Sequence, residues 1–327
     1  MSNLEERPAE TLVDCTSPID VVRAVEVLEA RQVPLGGARA IEVRRTLPQR
    51  ARSTIGAWCF ADHYGPVDVS QGSGMDVPPH PHIGLQTVSW LFSGEIEHRD
   101  SVGSLALVRP GQLNLMTAGR GIAHSEVSTG RVRMLHGVQL WVALPEGSRA
   151  IAPFFEHHDG VLVTLDGAEV RVFVGSLLGA SVAATTFSPL VAAQLDLEPG
   201  ATVTLPVSPA FEHGLIVDRG PLTVEGTEVA APDLGYIAYG SAALTVTAGP
   251  EGARAVLIGG EPLGEQLVMW WNFVGRNHND VAQARADWQH EVINGADPYG
   301  RFGTVAGYPG AALPAPALPT VRLKPRG

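Results

Sequence analysis

Two short residue pairs in this chain could hold a transition metal: His80-Pro81-His82 and His124-Ser125-Glu126. Three imidazoles and a carboxylate are nitrogen and oxygen donors suited to Fe, Mn, Co, Ni, Cu or Zn, and the lack of thiolate argues against a closed structural zinc site. One residue separates the members of each pair. On a β-strand alternate side chains share a face, so each pair aims both of its side chains one way. Four protein donors on a six-coordinate ion leave two adjacent positions, which is the arrangement an oxygenase needs.

The intervening chain must bring the pairs together. Val88 to Phe92, Glu95 to His98 and Leu105 to Val108 read as short strands, punctuated by the turns Ser93-Gly94 and Pro110-Gly111-Gln112. Closed into a small barrel, they would set both pairs inside its mouth. Upstream, Val21 to Leu28 reads as a strand entering a turn at Gln32 to Gly37. Ala40 to Arg44 and Ile55 to Phe60 read as further strands, with Asp62-His63-Tyr64-Gly65-Pro66 ending the second. Gly72 to Pro79 reads as a flexible approach to His80. Downstream, Arg131 to Leu144 predicts a long strand with Met134, His136, Val138, Leu140 and Val142 on one face.

The chain as a whole has 327 residues and is 45% apolar, enough for two domains with real cores. Its 37 Gly and 25 Pro are spread as turn punctuation among Val- and Ala-rich runs, which favours an all-β fold. The net charge of −11 comes without any Lys/Arg cluster and excludes direct nucleic-acid binding. Cys15 and Cys59 lack C-x-x-C spacing, so no cysteine metal site or disulfide framework is indicated, and a reducing cytoplasm suits them. No basic leader and no run of about 18 apolar residues occurs, so no membrane association is expected.

Four segments are expected. Residues 1–20 form a flexible lead-in, 21–150 a metal-binding barrel, 151–264 a second barrel, and 265–327 a C-terminal helix followed by an extended Pro-rich tail. The second barrel is inferred from an internal echo: Gly94 to His98 and Pro110 to Leu113 resemble Gly220 to Val224 and Asp233 to Tyr236. On that alignment His80 falls at Pro206, His82 at Ser208 and His124 near Ala248, so the second barrel lacks the ligand set. His213 beside Glu212 cannot replace it. Near the C-terminus, Val281, Ala284, Arg285 and Trp288 have helical spacing, with Asn277 or Asn279 as the cap.

These residues resemble the pirins, a family within the cupin superfamily. His80-Pro81-His82 and Gly94 match the first cupin motif, although its usual Glu position holds Gln86 or Thr87. Pro110-Gly111-Gln112 through Gly119-Arg120-Gly121-Ile122-Ala123-His124 matches the second. Pirins supply the carboxylate from beside that second-motif His, as Glu126 does here. Arg44 to Pro48, Asp62 to Pro66, His136 to Val142 and Trp270 to Val274 extend the match over most of the chain.

The resemblance implies a bicupin whose first barrel binds iron, as Fe(II), or another divalent transition metal through His80, His82, His124 and Glu126. It implies one of two roles. One is a flavonol (quercetin) 2,3-dioxygenase acting on a small aromatic substrate; the other is a metal-dependent regulator of a protein partner. In the dioxygenase, Glu126 is the candidate catalytic base for the substrate's 3-hydroxyl, loosening from the metal to take the proton. Around the site, His136 is expected in the core or behind the ligands, His98 either inward or solvent-facing, and Gln86 behind a ligand. Phe60, Met75, Leu91, Met116 and Met134 are candidates for a pocket wall. His157 and His158 are expected in a linker, and Trp270-Trp271 in an interdomain core.

Overall fold

Alternation of side chains marks the strands, as in Ile96–Asp100, where Ile96, His98 and Asp100 are buried and Glu97 and Arg99 turn outward. A computed structural model describes residues 11–13, 25–34, 41–70 and 74–325. The fold is the all-β bicupin expected, two antiparallel barrels with one short C-terminal helix. Most of the predicted lead-in, the Leu35-Gly36-Gly37 turn and Gly72 lie outside the described residues. Thr11–Val13 is a strand paired with Leu267–Met269. No described helix is long and apolar enough to cross a membrane.

The first barrel has a large sheet in the order Phe154–Asp159, Gln112–Thr117, Leu85–Ser93, Met134–Ala143, Trp58–Asp68, Glu42–Leu47, Arg31–Pro34. Facing it is a small sheet in the order Asp76–His82, Ile122–Ser128, Ile96–Asp100, Leu105–Val108. In the second barrel the small sheet repeats this plan with Thr202–Pro206, Ala243–Ala248, Leu222–Val224 and Thr227–Val229. Two strands cross between the halves. Glu26–Leu28 pairs with Leu234–Tyr236 of the second barrel, and Phe154–Asp159 pairs with Gln112–Thr117 of the first. Each covers an edge that would otherwise expose unpaired N–H and C=O groups. His157 and His158 therefore belong to a paired strand, opposite Asn114 and Leu113, and not to a linker.

Three local expectations change. The strand from Trp58 runs through Asp62–Pro66 to Asp68, because a bulge opposite Leu135 and Gly137 absorbs the turn residues. Gly65 sits there at φ 76°, with the Leu135 carbonyl oxygen 2.2 Å from where a Cβ would be. Pro78 and Pro79 lie inside the strand Asp76–His82, an edge strand that tolerates residues without an N–H. Arg31–Pro34 is a strand where a turn was expected.

One apolar cluster joins the barrels. Trp58, Val88, Trp90, Val138, Leu140 and Val142 of the first meet Phe173, Ala192, Ile216, Val256 and Ile258 of the second, with Trp90 stacked on Phe173 at 4.2 Å. The shared face predicted for Val138, Leu140 and Val142 is thus the face toward the other barrel. Fully burying each such side chain stabilises by about 1.5–3 kcal/mol, which holds the barrels in one orientation. Trp270 and Trp271 pack elsewhere, with Ile83, Ala123, Trp288 and Phe302, so they are not the interdomain core. The helix His278–Trp288 buries Val281, Ala284 and Trp288, and Asn277 Oδ1 caps it by accepting from the N–H groups of Asn279 and Asp280. The tail beyond lies across the body without regular structure; Leu313 N donates to Pro79 O, and Trp288 Nε1 to Leu313 O, both at 2.8 Å.

Register also refines the internal duplication. Ile96 pairs with Ser128, two residues after Gly94, and Leu222 pairs with Ala248, two residues after Gly220. On this register His98, His124 and Glu126 correspond to Val224, Leu244 and Val246, and His80, opposite His124, corresponds to Leu205, opposite Leu244. The linear slide that placed His124 near Ala248 could not count the intervening bulges and loop lengths. Every one of these polar inward positions in the first barrel is aliphatic in the second.

Candidate metal centre

The two pairs lie on neighbouring antiparallel strands, with His80 directly opposite His124. Beyond them the register slips, so that Glu126 faces Val77 across a bulge at Pro78-Pro79. The ring centroids are 4.3 Å apart for His80 and His124, 5.0 Å for His82 and His124, and 5.1 Å for His80 and His82. His82 Nε2 and His124 Nε2 stand 3.1 Å apart, and one ligand atom from each of the three imidazoles fits within 4.8 Å of the others. All three are at most 1% exposed.

Neighbouring carbonyls set two of the tautomers. His80 Nδ1 is 2.8 Å from Pro78 O and His82 Nδ1 is 3.1 Å from Asn272 O. A carbonyl only accepts, so Nδ1 carries the proton and the Nε2 lone pair faces inward, the usual orientation of a metal-ligating histidine. His80 Nε2 is buried and has no protein partner. Burial lowers the His80 pKa to about 4, and burial together with the neighbouring imidazoles holds His82 and His124 well below the ordinary histidine value. Neutral and gathered together, with His80 Nε2 left without a partner, these nitrogens fit a divalent transition metal.

Glu126, fully buried, belongs to an overlapping cluster with His124 and His98. Ser89 Oγ lies 3.2 Å from Glu126 Oε1 and 2.9 Å from the Gln139 amide. Its one proton reaches the carboxylate when Gln139 presents its amide nitrogen to the hydroxyl. The Tyr64 phenol is kept protonated by burial and by the nearby Glu126 charge.

His98 faces inward. It is buried, with Nε2 3.1 Å from Asp100 Oδ2 and Phe155 stacked on its ring at 4.7 Å. Its alternation with Ile96 and Asp100 carried that signal in the sequence. Ser89, Gln139, Asp100 and the Asn272 carbonyl were not legible, because each reaches the centre only through strand pairing or the C-terminal segment. Of the expected wall, Phe60 stacks on Trp141 at 4.0 Å and clusters with Met116, while Trp141 meets His82 edge-on at 5.2 Å. Met75 and Leu91 belong to a different cluster, and Met134 is exposed. Gln86 donates to Thr117 Oγ1 and to Thr185 O, each at 2.9 Å, and to none of the four. His63 and His136 point toward the second barrel, beside Asp218. A cleft of about 690 Å³ lies at the mouth of the second barrel by Phe211 and His213, and one of about 460 Å³ by Phe92 and Arg171; neither touches the four residues.

Residues 40–142 match the Pirin family model, and residues 192–294 match that of the pirin C-terminal cupin domain. The chain belongs to the pirin family. A Pseudomonas aeruginosa protein named "Putative quercetin 2,3-dioxygenase PA1205" is 41% identical over 98% of both chains. A pirin-like protein of Caulobacter vibrioides is 39% identical over 80% of this chain and 92% of its own. Among solved structures, a quercetin 2,3-dioxygenase from Acinetobacter baumannii is 40% identical, with a TM-score of 0.84 over 92% of this chain and 98% of its own. The first matched segment spans all four residues of the centre, and the second falls in the barrel where aliphatic residues replace them.

Proposed function

We propose that this pirin-family protein is a metal-dependent oxygenase of the flavonol 2,3-dioxygenase type, with His80, His82, His124 and Glu126 holding Fe(II) or another divalent transition metal. The observation that carries the reading is the set of neutral imidazoles converging inside a barrel walled by Phe60, Met116 and Trp141. The names of the Pseudomonas and Acinetobacter relatives support it. When bound, the ion would supply coordination positions for a substrate oxygen and for dioxygen. The Phe60–Trp141 stack, edge-on to His82, gives this side of the centre an aromatic character compatible with a flavonol. Burial of the ligands excludes water from the reacting groups. Glu126, grouped with His98 and His124, takes the proton of the 3-hydroxyl, and Ser89 holds its carboxylate in position.

One observation favours a second reading, a metal-dependent regulatory protein-binding module: the ligands are sealed from solvent. Aerobic quercetin turnover by protein reconstituted with single divalent metals separates the two. Metal-dependent loss of flavonol absorbance with release of carbon monoxide, both abolished in Glu126→Gln, supports the oxygenase. A fully loaded protein without turnover sinks it, and binding of a protein partner that differs between oxidised and reduced metal supports the module.

A further inference from the structure

We propose a second metal site, between the two barrels, formed by His63 and His136 of the first barrel and Asp218 of the second. It does not depend on the oxygenase reading. His63 lies on the strand Trp58–Asp68, His136 on Met134–Ala143 and Asp218 on Glu212–Arg219, all on faces turned toward the opposite barrel. The strands on both sides of Met134–Ala143 step out of register at His136, a local irregularity that re-aims a side chain. The side chains of His63 and Asp218 are 1% and 2% exposed.

The three donors converge as ligands do. Asp218 Oδ1 is 2.7 Å from His63 Nε2 and 2.6 Å from His136 Nε2, and the two Nε2 atoms are 3.1 Å apart. A triangle with these sides leaves a point about 2.0–2.1 Å from all three corners, the bond length of imidazole and carboxylate ligands to zinc. Both short contacts fall on the one oxygen, Oδ1, which leaves Oδ2 with only the more distant Arg254 guanidinium.

Two guanidinium groups flank it. Arg44 Nη2 is 3.4 Å from His63 Nε2 and also donates to Gly65 O; Arg254 Nη1 is 3.6 Å from Asp218 Oδ2 and its Nε pairs with Asp196 at 2.7 Å. Their charge weakens cation binding relative to the first-barrel centre, so this site fills second. Two imidazoles and one carboxylate, with positions left for water, suit Zn(II), Co(II), Ni(II) or Fe(II).

The test counts metal on the full chain. Protein stripped with chelator is titrated with Co(II) or Zn(II), desalted, and assayed for metal per chain, with Asp218→Asn, His136→Ala and His124→Ala alongside and their folding checked by circular dichroism. The site predicts two ions per wild-type chain, the weaker one missing in Asp218→Asn and His136→Ala, and a thermal shift on the second equivalent that Asp218→Asn abolishes. His124→Ala keeps this weaker ion. The same metal content in Asp218→Asn as in wild type overturns the site and leaves a metal-free polar bridge. Failure of the first-barrel centre would appear separately, as unchanged loading in His124→Ala.

Discussion

Substituting His124→Leu would give the first barrel the residue that its second barrel carries at the same register position, Leu244. In the metal-free protein His124 is 1% exposed, and its ring nitrogens meet only other imidazoles, His82 at 3.1 Å and His98 at 3.5 Å. A buried polar group this poorly satisfied costs about 1–3 kcal/mol, and leucine has a similar volume. The variant should therefore be more stable in chelator by about 1–3 kcal/mol. At about 2–4 °C per kcal/mol, its melting midpoint rises by roughly 2–12 °C. Metal reverses the order: at a free concentration of about 1,000 times Kd, wild type gains about 4 kcal/mol and the variant gains nothing. The assay is thermal unfolding followed by tryptophan fluorescence, with and without Ni(II). Both proteins carry Asp218→Asn, so that the cluster between the barrels contributes nothing. A variant less stable than its parent in chelator would refute the account of His124 as a polar group that other imidazoles satisfy only weakly. A metal-induced shift that persists in the variant would remove His124 from the ligand set.

Other expectations concern the second barrel and the C-terminal segment. His213 is fully buried, both its ring nitrogens lack partners, and burial lowers its pKa to about 4. The unfolded chain takes up that proton first, near the ordinary value of about 6.5. Relative to His213→Leu, wild type should thus lose up to about 3 kcal/mol as pH falls from about 6.5 through 4, and lose nothing above that window, measured by urea unfolding at each pH. Trp288→Ala empties a fully buried site and removes the bond to Leu313 O, so urea unfolding should register a loss of about 3–5 kcal/mol. Asn277→Ala removes the cap of the terminal helix and should cost about 1 kcal/mol in the same assay; no change would mean that packing of Trp288 alone fixes the helix start.

Much of the centre was legible because it rests on local periodicity. A strand turns alternate residues to one face, so the spacing of His80 with His82 and of His124 with Glu126 defined two paired donors before any contact was known. The same logic applied to Ile96, His98 and Asp100 would have turned His98 inward. The helical spacing of Val281, Ala284 and Trp288 likewise depends on residues a few positions apart, and of the two candidate caps Asn277 and Asn279 the structure uses Asn277. Pro78-Pro79 and Asp62–Pro66 misled for a common reason. Residues that usually end strands were absorbed by an edge position and by a bulge, and both depend on what the neighbouring strand does.

The amino-acid sequence by itself determined the two candidate donor pairs, the all-β character and the lack of a matching His/Glu set in the second half, since composition, alternation and motif spacing are properties of short segments. Only the tertiary structure decided that Asn272 lends a carbonyl to His82 from 190 positions away, that Ser89 reaches Glu126, and that Asp218 meets His63 and His136 across two barrels. Those contacts are set by strand order, by bulges that shift register by one residue, and by the exchange of Glu26–Leu28 and Phe154–Asp159 between the halves. Side-chain alternation says which face a residue occupies; the packing of sheet on sheet determines what stands opposite it.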